Sequence, residues 1–280
     1  PDPPPKRDAR HEADIRAFLE SWGPAVPREA ADAAPPDFEA QCAAMLDAGP
    51  TIISSIMGVY PEAFVRELKD RGIAWFANAT TVGEARSAES AGADVIVAQG
   101  AEAGGHRGAF NAADAADRAI GLFALLPAVV DAVAVPVVAT GGIADGRGVA
   151  AALMLGASAV QIGTALLRSP EAGLPQAWSD AIGGAAPEDT MLTRAFSGRA
   201  GRSIRTAYAE AAAAPGAPEP APYPVQRALS QAMRDLGAKT NDIDRIQAWA
   251  GQSAGRAAAL PAGDIVRSLW EDAERRLAGS

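Results

Sequence analysis

At 280 residues, 49% of them hydrophobic and only 5% aromatic, the chain is long enough to bury a large α/β core in one or two domains. Lys and Arg total 25 against 34 Asp and Glu, a net charge of −9 with no basic cluster, which excludes nucleic acid and an anionic membrane surface as expected partners. Cys42 is the single cysteine, no apolar run reaches transmembrane length and no secretory signal is visible, so neither a disulfide nor a metal site is expected and the expected location is cytoplasmic.

Residues 1–10 are proline-rich and charged and read as a loop. Helical patterns follow at 11–19 and 37–48, the second with Cys42, Met45 and Leu46 on one face, so Cys42 is read as a core residue rather than a nucleophile. Five strands are then predicted, at 51–57, 73–77, 94–98, 136–140 and 158–162. Helices at 64–71, 81–91, 115–132 and 148–155 separate them, three closed by Gly72, Gly92 and Gly156. Short helical crossovers between strands require parallel, right-handed connections. Residues 171–255 show helical patterns, proline-rich linkers and no convincing strand, and 262–278 form an amphipathic helix carrying Ile265, Val266, Leu269 and Trp270. The expected fold class is α/β, a TIM (β/α)8 barrel. Five strands cannot close it. The proline-rich start looks like the interior of a longer chain, so the expectation is that the first three strands are absent. Strands 51–57 and 158–162 should then not pair. A partial barrel is expected over 1–170 with 262–280 as its returning helix, and a helical domain over 171–261.

The segment 136–164, PVVATGGIADGRGVAAALMLGASAVQIGT, carries the clearest chemistry. Each of its two strands ends in glycine, at Gly141-Gly142 and at Gly163-Thr164, where α/β barrels place a phosphate. Asp145 and Arg147 read as a helix cap and its surface partner. Gln161 is placed to hydrogen-bond a ring or a ribityl chain, or else to fill the barrel interior. The loop after the third strand, QGAEAGGHRGAF, sets Gln99 at a strand end and offers close backbone approach at Gly104 and Gly105. His106 follows. An imidazole of pKa roughly 6.5 is a good base near neutral pH, the alternative being a solvated loop histidine. Trp249 reads as packing, and Gln252 as a residue that could face the barrel mouth. Walker, zinc-protease, nucleophile-elbow and dinucleotide fingerprints are absent. A cofactor with one phosphate fits better, and a planar ring over the barrel mouth with its phosphate at Gly163-Thr164 describes FMN.

QGAEAGGHRG at 99–108 followed by the segment 136–164 resembles the nitronate monooxygenase family, formerly the 2-nitropropane dioxygenases. SGRAGRSI at 197–204, PYPVQRAL at 222–229 and WAGQSAG at 249–255 resemble the tail of its large bacterial class. The resemblance implies an FMN-containing TIM barrel with a helical second domain, oxidising alkyl nitronates with O2 to a carbonyl compound and nitrite. It implies flavin contacts at Gln99, Gly104, Gly141, Gln161, Ile162, Gly163 and Thr164, to which the loop glycines add Gly105 and Gly142. His106 matches the family's base, which takes the proton α to the nitro group. The small-molecule nitronate and O2 are the expected partners, and a homo-oligomer is permitted. Competing readings are an FMN-dependent enoyl-acyl-carrier-protein reductase, an NADH:quinone reductase of the same superfamily, and a partial barrel without flavin. Barrels of the IMP dehydrogenase type need a loop cysteine that is not here.

Overall fold

The computed structural model describes residues 7–32, 34–35 and 37–279. The loop expected over 1–10 lies outside the described residues as far as residue 6. At Ala9 a helix already begins, its first N–H groups capped by the Asp8 carboxylate.

Five parallel strands form one sheet in simple sequential order: β1 (Ile52–Ser55), β2 (Ala74–Ala79), β3 (Val95–Gln99) and, after the short β4 (Gly105–His106) that belongs to another sheet, β5 (Val137–Thr140) and β6 (Ala159–Gln161). The helices Glu62–Asp70, Val82–Ser90, Leu122–Val130 and Gly146–Met154 make the crossovers. Leu68, Trp75, Ala88, Ile96, Leu126 and Ala139, all fully buried, share the core between sheet and helices. Cys42 joins that core from the helix Phe38–Asp47. The end strands β1 and β6 do not pair, as expected, and the ladder is an α/β barrel left open. Ile52 and Ile56, beside the β1 edge, are about half exposed. The helix Ala262–Ala278 returns onto this unit, with Ala273 inside the same core. No helix among the described residues is long and apolar enough to cross a membrane.

Two expectations need correction. The helix predicted over 115–132 begins only at Leu122, whose N–H donates to the Glu102 carboxylate at 3.0 Å. That cap comes from the preceding loop, so the residues before Leu122 turn instead of coiling, with a short 3-10 turn at Ala112–Asp114. Residues 171–255 also are not strand-free: β7 (Thr190–Thr193) and β8 (Gly201–Ile204) pair antiparallel. β8 pairs in turn with β4 (Gly105–His106), inside the loop after β3. These strands are four, four and two residues long. Burial and cross-strand pairing, rather than intrinsic preference, make them strands. Around this small sheet the helix Ala9–Glu20 packs Ile15 and Leu19 against Phe196, Tyr208, Leu229 and Met233.

Candidate active site

Along each strand of the parallel sheet alternate residues face inward. On β2, Trp75, Ala77 and Ala79 are fully buried against the helices, which turns Asn78 to the other face. Asn78 registers with Val97, and one inward step further along Gln99 of β3 registers with Thr140 of β5, and Thr140 with Gln161 of β6. Asn78, Gln99, Thr140 and Gln161, with Ile56 just past β1, line a cavity of about 220 Å³ at the C-terminal ends of the strands. A polar rung in a parallel sheet is unusual, because strands buried on both faces are ordinarily aliphatic.

Two glycine turns close the cavity on the β5–β6 side. Gly141 and Gly142 have φ of 111° and 70°, open to glycine and strained for other residues. Gly163 and Thr164 start the 3-10 turn Thr164–Leu166, whose first amides lack an intrahelical acceptor. The opposite wall comes from the far end of the chain. Gly251 donates its N–H to Thr164 Oγ1 at 3.0 Å, and Ser253 Oγ donates to the Gly142 carbonyl at 2.6 Å.

Gln99, Gly104, Gly141, Gly142, Gln161, Ile162, Gly163 and Thr164 all line this one cavity, whereas Gly105 does not. The Gln99 amide is committed to the protein. It accepts from Gly108 N–H (2.8 Å) and Arg107 Nη1 (3.1 Å) and donates to the His106 carbonyl (3.2 Å). Asp145 caps the helix Gly146–Met154 and pairs with Arg147. Gln252 is not in the lining, although its neighbours Gly251 and Ser253 are.

His106 lies on β4, two residues beyond Gly104. Its Nε2 is 2.6 Å from Ser197 Oγ, a fully buried hydroxyl, and its ring packs on Trp249 with centroids 5.2 Å apart. Burial, reinforced by the charges of Arg199 and Arg227, lowers the imidazole pKa to about 4. The ordinary value assumed from sequence therefore does not apply, and the ring is neutral at pH 7. Residues missed in the sequence were Asn78, Ser197, Gly251 and Ser253. Ser197, Gly251 and Ser253 fall within quoted motifs but carry no chemical signal of their own there. No group of three or more His, Cys, Asp or Glu side chains among the described residues is placed to hold a metal.

An open parallel barrel with an amide-lined cavity and glycine turns at its strand ends is the framework of an α/β-barrel enzyme. The chain belongs to the nitronate monooxygenase family, whose family model matches residues 8–272. It is 40% identical over 238 residues to the nitronate monooxygenase of Paraburkholderia phytofirmans, covering 85% of this chain and 65% of that protein. It is 42% identical over 228 residues to that of Pseudomonas aeruginosa, covering 81% and 65%. The chain thus spans 65% of the length of each of these two relatives. Among solved structures it is similar to nitroalkane oxidase from Streptomyces ansochromogenes, with a TM-score of 0.87 and 35% identity over 99% of this chain and 80% of that one. FabK from Thermotoga maritima superposes with a TM-score of 0.72 at 28% identity, over 88% and 75%.

Proposed function

We propose that the chain is the flavin-binding and base-bearing part of an FMN-dependent nitronate monooxygenase, converting alkyl nitronates and O2 to a carbonyl compound and nitrite. In this reading the barrel unit is 1–170 with the returning helix 262–280, and 171–261 form the second domain, although the helix Ala9–Glu20 packs into the core of that second domain rather than the barrel's. The observation that carries it is at Gly163. This glycine lines the cavity, yet a Cβ built on it meets nothing within 4 Å. Gly163 is exposed at the cavity, with open space beside its Cα where a ligand group can approach the backbone. The donor set beside it suits one phosphate, with the amides of Gly163 and Thr164 and of the Gly141-Gly142 turn. The amides of Asn78 and Gln161 suit the polar parts of a ring and its ribityl chain. The residues present fit a cofactor with one phosphate, FMN.

When bound, FMN supplies the electron acceptor that O2 later reoxidises. The protein's own contribution is positional and acid–base. Ser197 holds Nε2 of His106 and Trp249 packs on the ring, which leaves Nδ1 as the nitrogen to take a proton, His106 itself standing outside the lining of the cavity. A proton arriving on this ring is opposed by burial and by Arg199 and Arg227. Negative charge gathering on a nitro group beside the ring offsets that opposition.

The test is to release and weigh the cofactor of the purified protein, then to follow O2 uptake and nitrite with propane-2-nitronate in the absence of NADH. FMN by mass and nitrite without a nicotinamide are expected. FAD would refute the single-phosphate site. Turnover only with NADH or NADPH would move the protein to the reductase reading.

A further inference from the structure

Asn78 stands out in the cavity wall. Strand β2 supplies it on the inward face, beside Val97 in the ladder with β3. Its Oδ1 is buried without a hydrogen-bond partner, and the amide makes no hydrogen bond to any described residue. A Cβ on Gly108 would stand 1.9 Å from that oxygen and 3.2 Å from Ile56 Cγ1, so Asn78 is pressed against a bare Cα that offers neither donor nor acceptor. A buried amide left this way costs stability, and an aliphatic residue would serve the sheet better. The neighbouring Gln99 amide cannot take over its duty, being held by three hydrogen bonds of its own.

Among the described residues no hydrogen bond fixes which end of the Asn78 amide meets the cavity. It can present its N–H2, or its oxygen after a half-turn. Such a group complements a ring edge that alternates carbonyl and N–H. Phosphate and nitro groups, which offer only acceptors, use half of it. In the strand order β2-β3-β5-β6, Asn78 also stands three strands from Gly163, roughly 14 Å at about 4.8 Å per strand, at the end of the cavity remote from the glycine turns. We infer that Asn78 is a further cofactor-binding residue, whose amide takes the pyrimidine edge of the flavin while the glycine turns take the phosphate. This rests on the FMN reading above.

The experiment titrates apoprotein with FMN, followed by flavin fluorescence, for the wild type, Asn78→Ala and Asn78→Asp, and repeats it with 3-methyl-FMN, which lacks the imide N–H. Loss of one hydrogen bond weakens FMN binding roughly threefold to tenfold in Asn78→Ala. Asn78→Asp keeps the shape but sets a carboxylate against the ring carbonyls, and a loss beyond tenfold is expected. The 3-methyl group should weaken binding to the wild type and add little in Asn78→Ala. Thermal midpoints of the apoproteins show that the variants fold, and that of Asn78→Ala should not fall, because the amide it removes has no partner. Equal FMN affinity in wild type and both variants, or the same 3-methyl penalty in all three, would overturn the role of Asn78 while leaving the FMN reading intact. A wild-type protein that binds no FMN would overturn that reading and this inference with it.

Discussion

At Gly104 a Cβ would stand 2.5 Å from the amide nitrogen of Gly251 and 2.6 Å from the carbonyl carbon of Ala250, whereas at Gly163 it would meet nothing. Both glycines line the same cavity. On the Gly104 side, the loop after β3 and the tail near Gly251 touch backbone to backbone, and glycine is there for the protein's own packing. On the Gly163 side the residue is exposed and a Cβ would meet only open space, which in the FMN reading the phosphate occupies. A glycine-marked strand end is thus two different signals, and only three-dimensional neighbours tell them apart.

The crowded side also holds His106, and the largest expected effect is there. His106→Ala should lower turnover of neutral nitroalkanes by roughly 10²–10⁴-fold, the usual cost of losing a general base. Pre-ionised nitronates should lose far less, since their proton is already gone. Parallel rate measurements on a nitroalkane and its nitronate check this, and equal losses would remove His106 from the role of base.

Next in size is Gly104→Ala. Backbone atoms on both sides of the new methyl cannot rotate away, so the segment at 250–251 must shift, at about 3 kcal/mol of stability. Urea unfolding reads it directly. Gly163→Ala makes the contrast. Its unfolding free energy should stay within about 0.5 kcal/mol of wild type, while FMN affinity drops more than about tenfold, or 1.4 kcal/mol. Gly163→Asp should empty the flavin site, since its carboxylate would take the place of the phosphate charge. A Gly163→Ala protein that loses stability but keeps its flavin would break the distinction between the two turns.

The acid limb of stability sharpens the same picture. In the unfolded chain His106 takes up a proton near pH 6.5, and in the folded protein only near about 4. The folded state therefore loses stability as pH falls from 6.5 to 4, by at most about 3 kcal/mol, and gains nothing further above 6.5. His106→Gln should remove that part of the acid dependence. Unfolding curves of the two proteins at pH 7.5, 6 and 4.5 should converge as the pH falls if wild type is the more stable at pH 7.5. An unchanged difference across the series would mean that the imidazole titrates alike in both states.

These contrasts explain what could be read in advance. The parallel strands were legible because each is a short β-branched or aromatic run bounded by turn residues, and each crossover is local. The strand expected at 73–77 runs on to Ala79, past an Asn of a type depleted in strands. The shorter expected strand hid the inward position of the Asn78 amide, which belongs to β2. The second sheet was illegible for another reason. TMLT and GRSI carry no alternation, and the sheet that β7 and β8 form is completed by Gly105-His106, far upstream in the chain. The depressed pKa of His106 was hidden likewise, because Arg199 and Arg227 reach it through tertiary structure alone.

Ser253 joins the crowded side to the open one, and its effect should be the smallest. Its hydroxyl donates to the Gly142 carbonyl at 2.6 Å, tying the tail at 251–253 to the left-handed turn that follows β5. One such hydrogen bond contributes about 1 kcal/mol, and Ser253→Ala should lower apoprotein stability by that amount. The Gly142 turn keeps its other constraints, since Gly251 still holds Thr164 across the cavity. FMN affinity should then change by less than about fivefold, close to 1 kcal/mol. Measuring both quantities on the same preparation decides where this hydroxyl belongs. Unchanged apoprotein stability with a large loss of flavin would mean that Ser253 serves the ligand directly, and the tail would have to be counted with Gly163 as part of the open side.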